Sequence, residues 1–75
     1  MKTRKEVIAG YLADLGENQL FSLISARQKL VVTHRLGLDG PAETLAEVGV
    51  RLGVSKSMIS IIEGQIIRRV VKNAG

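Results

Sequence analysis

Seventy-five residues without a cysteine leave room for one domain with a small core, and exclude a disulfide framework or a thiolate zinc site as its brace. Hydrophobic residues make up 45% of the chain but aromatics only 3%, Tyr11 and Phe21, which argues against a surface for stacking single-stranded bases. The net charge of +4 favours a polyanionic partner. Its distribution is uneven: from Thr44 onward Arg51, Lys56, Arg68, Arg69 and Lys72 face only Glu47 and Glu63, whereas the preceding residues are nearly balanced. No apolar run reaches the ~18 residues of a membrane span, so no membrane partner is expected. The charged start (Lys2, Arg4, Lys5) is followed by no apolar h-region, so no signal peptide is expected and a cytoplasmic location is the default.

Thr3 and Glu6 have the spacing of a capping box, and Val7, Ile8, Tyr11, Leu12 and Leu15 recur at helical spacing up to Gly16. They predict a helix over 4–15. Asn18 is placed to cap a second, shorter helix holding Leu20, Phe21, Leu23 and Ile24. Ser25 with Gln28 is a second capping box, opening a helix over 26–36 with Leu30, Val31 and His34 on its inner side. Gly37 stops it, and Leu38-Asp39-Gly40-Pro41 is turn chemistry. Thr44 with Glu47 is a third box, opening a helix with Leu45, Val48 and Leu52 at helical spacing, which Gly53 ends. Ser55 is a fresh N-cap, and the last helix runs over 56–72 with an apolar stripe of Ile59, Ile62, Ile66 and Val70. Arg68, Arg69 and Lys72 suit its C-terminal dipole. There is no strand-like alternation and no internal repeat. The fold class is therefore all-α, four to five short helices in a single domain over 1–75.

Two helices joined by Gly53-Val54-Ser55 have the organisation of a helix-turn-helix over 44–72. Gly53 supplies the turn, Ala46 and Gly49 are small where the second helix must approach, and Val54, Ile59 and Ile62 fix it on the first. Ser55, Lys56, Ser57, Ser60, Ile61 and Gly64 are then left facing outward, and such a ridge enters a major groove of duplex DNA. The same spacing also occurs in a plain corner between two packed helices.

From Ile24 onward the sequence resembles region 4 of the bacterial sigma-70 factors. The stretches that carry the resemblance are Ile24-Ser25-Ala26-Arg27-Gln28, His34 to Gly40 (HRLGLDG), Thr44 to Gly49 (TLAEVG), Leu52-Gly53-Val54-Ser55 and Ile62-Glu63. They divide the chain into an extra N-terminal helix (1–16) and a region-4-like part (17–75). The resemblance implies a promoter-binding domain acting in transcription, with Arg27 and Arg35 on DNA phosphates, which position the protein without reading sequence. It departs on the recognition helix: the family presents Arg, Glu, Arg and Gln where this chain has Lys56, Ser57, Ser60 and Ile61, and Met58 replaces another basic residue. Lys56 can still reach guanine or phosphate, the serines can hydrogen-bond, and Ile61 can touch a thymine methyl.

Ile61, Met58, Ile67 and Val71 also make this helix unusually apolar. A second reading is a sigma-like interaction module that binds RNA polymerase or a transcription regulator, or pairs with itself as a homodimer; the alternative use of those side chains is packing on the N-terminal helix. Nothing points to catalysis or a metal. His34 has no second ligand type beside it, Asp39-Gly40 lacks the spaced oxygens of a calcium loop, and no phosphate loop or cofactor motif is present. The length leaves no room for a promoter-melting domain, so a piece of a longer sigma factor and a stand-alone regulator both fit.

Overall fold

Each of the three boxes forms, in both directions. Glu6 N–H donates to Thr3 Oγ1 at 3.2 Å while Thr3 N–H donates to Glu6 Oε1 at 3.1 Å. Ser25 and Gln28 exchange the same bonds at 3.2 and 2.9 Å, and Thr44 and Glu47 at 3.1 and 2.8 Å. These satisfy amide groups that a helix start leaves orphaned. The computed structural model of the chain describes residues 1–74 and contains five helices among them: α1 (Arg4–Leu15), α2 (Glu17–Ser22), α3 (Ala26–Leu36), α4 (Leu45–Leu52) and α5 (Lys56–Ala74). No strand occurs among the described residues.

Helix α5 is the axis of the packing, lying chiefly against α4 and α1 and then α3. Its stripe of Ile59, Ile62, Ile66 and Val70 is buried, and it meets Ile8, Leu20, Ile24, Val31, Val32 and Val48 in one core. The Cα radius of gyration is 11.4 Å, about what a close-packed chain of this length has, so α1 is folded onto the rest.

Three expectations about these helices need correction. Asn18 is not a cap: α2 starts at Glu17 with Gly16 before it and no side-chain cap. Gly16 N–H donates to the Leu12 carbonyl at 2.9 Å and its own carbonyl accepts from Leu20 N–H at 3.0 Å, so one residue ends α1 and begins α2. On α3, Leu30 points outward and Val32 takes its place in the core. Gln28 is buried as well as capping, which rotates the inner stripe to 28, 31 and 32. Ala46 is exposed, so the close approach of α5 does not depend on it.

The α4–α5 corner depends on two glycines. Gly53 is left-handed (φ 73°, ψ 30°), and the turn closes with Val54 N–H donating to the Gly49 carbonyl at 2.9 Å and Gly53 N–H to Val50 at 3.3 Å. That pair of bonds is a Schellman motif. Gly49 is buried under the turn, and a Cβ there would stand 2.7 Å from the Val54 carbonyl oxygen and 3.3 Å from Lys56 N. Both are backbone atoms, which cannot swing aside as a side chain would. The corner therefore needs its hydrogen at 49 as much as its positive φ at 53.

Candidate nucleic-acid interface

Ser55 Oγ accepts from Met58 N–H at 3.1 Å and starts α5 one residue after the turn. This fixes which way the first turns of α5 face. Ile59 and Ile62 go inward, and Ser55, Lys56, Ser57 and Ile61 are exposed. Lys56 stands with Thr44, Leu45 and Ala46 around a shallow depression where the starts of α4 and α5 come together. Arg27 is exposed in the first turn of α3.

Ser60 stands differently from its neighbours on this ridge. It is half-buried, and its Oγ accepts a 2.9 Å hydrogen bond from Arg4 Nη1, across 56 residues of sequence. The cause is α1, which lies along α5 and carries its basic N-terminal residues to the recognition helix. Lys2, Arg4 and Lys5 thereby line a second depression together with Ser60, next to the first. Sequence reasoning did not place these cations beside α5. The basic start of the chain was visible, but its position over α5 depends on tertiary packing.

Arg35 also differs from expectation. Its side chain is 14% exposed, and Nε donates to Glu63 Oε2 at 2.7 Å while Nη1 donates to the Glu43 carbonyl at 2.9 Å. Glu63 is only 4% exposed. Arg35 thus ties together α3, the loop before α4 and α5 with two of its donors, while it also lines both depressions, beside Lys56 in the first and Arg4 in the second.

Other charges are similarly engaged. Glu43 accepts from both arms of Arg51, with Nε at 3.1 Å from Oε1, and that bond holds its carboxyl below the ordinary carboxylate range. Arg69 Nε donates to the Leu23 carbonyl at 3.0 Å. Among the described residues, Arg4, Arg27, Lys56 and Arg68 form no bridge to a carboxylate. The positive surface that remains free is thus the recognition helix, the start of α3 and the start of the chain. Of the apolar residues on α5, Ile67 packs against the core, while Met58, Ile61 and Val71 stay exposed and are not covered by α1.

No helix among the described residues is long and apolar enough to cross a membrane. The chain matches the family model described as sigma-70, region 4, over residues 20–72, which takes in α3, the corner and nearly all of α5 but leaves α1 outside. No curated protein and no solved structure matches it.

Proposed function

The chain belongs to the sigma-70 region 4 family, a family of transcription domains that bind DNA and RNA polymerase and are not enzymes, and from that premise we propose that it binds duplex DNA as a single unit through the first two turns of α5. The observation that carries the reading is the ridge of Ser55, Lys56, Ser57 and Ile61, held clear of the core by the turn at Gly53. A helix presented in this way fits a major groove about 12 Å wide. Lys56 reaches a guanine edge or a phosphate. Ser55 and Ser57 hydrogen-bond within the groove, Ile61 meets a thymine methyl, and Arg27 approaches the backbone from α3. Ser60 contributes through its link to Arg4, and Arg35 by fixing α3 to α5. With no arginine or glutamine to make bidentate base contacts, affinity comes mainly from phosphates and sequence preference is shallow.

The experiment is a salt-titrated binding assay of the whole chain against random and promoter-like duplexes. The expected result is a steep fall of log K with log salt and little difference between the duplexes. Lys56→Ala should flatten the slope by about one. Exposure of Met58, Ile61 and Val71 favours a second reading, a module that docks on RNA polymerase or a regulator. Absence of duplex binding at low salt, together with polymerase capture that Ile61→Lys abolishes, replaces the first reading by the second.

A further inference from the structure

Lys56, Ser60, Gly64 and Arg68 stand four residues apart along α5, a spacing that forms one continuous row on a helix surface. The third member of that row is a glycine in the middle of the longest helix, where it weakens the helix relative to alanine. Neither reason that explains the corner glycines applies to it. Its φ is not positive, and no backbone from another element approaches. A Cβ at 64 would meet only two side-chain atoms, Arg4 Nε at 3.4 Å and Arg68 Nη1 at 4.0 Å. Two guanidinium groups, one from the start of α1 and one from the next turn of α5, thus converge above a gap in the row. Among the described residues no carboxylate bridges to either, although like charges brought together repel.

We propose that Arg4 and Arg68 close on a single phosphate group over Gly64, with the Ser60 hydroxyl beside it, and that in the DNA complex this is a phosphate of the duplex backbone. Ser60 Oγ accepts from Arg4 Nη1 at 2.9 Å. That bond orients the guanidinium and leaves the hydroxyl proton to donate to a phosphate oxygen. Arginine suits the task because its planar fork bonds two phosphate oxygens at once. The position suits a backbone contact. Lys56 and Arg68 are twelve residues apart, roughly 18 Å along the helix, which exceeds the ~12 Å width of the major groove. With the start of α5 in the groove, Arg68 has reached the strand that borders it. Arg4 lies outside the family-matched residues, so α1 supplies half of this site. The assignment of the phosphate to DNA rests on the function proposed above.

Two measurements separate the claims. In the first, duplex binding is followed across salt for the native chain, Lys56→Ala, Arg4→Ala, Arg68→Ala and the double Arg4→Ala/Arg68→Ala variant. Each single loss weakens binding roughly three- to tenfold, and because the two residues share one phosphate the double variant flattens the salt slope by about 0.9. A slope change near 1.8, or none in a chain whose binding still responds to Lys56→Ala, overturns the shared site while leaving DNA binding intact. In the second, inorganic phosphate is titrated and the Nε resonances of the arginines are followed. Arg4 and Arg68 move together with one midpoint, and Arg27 does not follow them. If they stay still, the phosphate site is wrong; if they move in a chain that binds no duplex, the site stands and its assignment to DNA falls. Gly64→Ala provides an internal check, since a methyl in the gap raises the thermal midpoint but lowers affinity.

Discussion

Helices α1 and α4 begin with the same device, a threonine and a glutamate exchanging hydrogen bonds, yet they are held in place differently. The position of α4 is set by its neighbours in sequence: Gly49, Gly53 and Ser55 turn the chain within seven residues and leave α5 only one way to lie. Helix α1 has no such corner with the element it serves. It reaches α5 through Ile8 in the common core and through the Arg4–Ser60 bond, contacts between residues more than fifty positions apart. The difference lies in where the exposed ridge and its cationic flank come from. The short-range corner presents the ridge, and the long-range packing of α1 adds cations to its flank.

The largest effect is expected inside the region that α3 shares with the corner. Arg35→Ala leaves Glu63, 4% exposed, as a buried carboxylate without its cation, and losing one partner of such a pair costs about 3–5 kcal/mol. That is a large part of the stability a domain this small has. Replacing both, as Arg35→Met with Glu63→Leu, restores most of it because no charge is then left unpaired. Urea unfolding measures both. A loss under about 1 kcal/mol for Arg35→Ala is what an exposed pair gives and would make Arg35 a surface cation after all. The double variant sharpens the assignment further: if Arg35 is only a tie, that chain keeps the native salt slope for duplex.

A smaller effect tests whether α1 and the corner unfold together. Thr3→Ala and Thr44→Ala each remove the acceptor of a capping box and each should cost about 1 kcal/mol. Equal shifts of a single urea transition follow if Ile8 joins both helices to one core. Should Thr3→Ala fray α1, seen as lost helicity before the main transition, with the midpoint unmoved, then α1 is an appendage. Its cations would then be supplied to the interface only part of the time.

The same division explains how much of the molecule was legible in its residues. The start of every helix with a Ser or Thr cap, the stops at Gly37 and Gly53, and the inner stripe of α5 could be read because each is written within a few positions. The start of α2 could not: Asn18 is a good cap by type, but Gly16 already serves that junction. The inward face of α3 was misjudged because burial of Gln28 turns the helix, and a glutamine is not counted when apolar spacing is traced. The internal tie of Arg35 could not be read because its partner Glu63 lies 28 residues away. The Arg4–Ser60 contact has no local signature at all.

The smallest effect concerns acid. The Glu43 carboxyl is held below its usual range first by the hydrogen bond from Arg51, and that of Glu6 first by the backbone N–H of Thr3. A carboxylate whose pKa is depressed in the folded state contributes stability that is fully present above its unfolded value, about 4.3 for glutamate. That contribution is lost as pH falls through the folded value. The urea midpoint should therefore be level from about pH 7 to about pH 5.5 in this respect and decline below about pH 4.5. Glu43→Gln and Glu6→Gln each remove part of the decline, one beside the corner and one at α1. Glu6 is exposed and the Arg51 that holds Glu43 is itself half exposed, so each share is small. The order in which the two regions loosen is the informative readout. If α1 is bound into the common core, helicity and the main transition decline together on acidification in the native chain and in both variants. An acid-induced loss of helicity that precedes the main transition, and that Glu6→Gln alone abolishes, would show α1 detaching on its own and would leave the corner as the only permanent part of the interface.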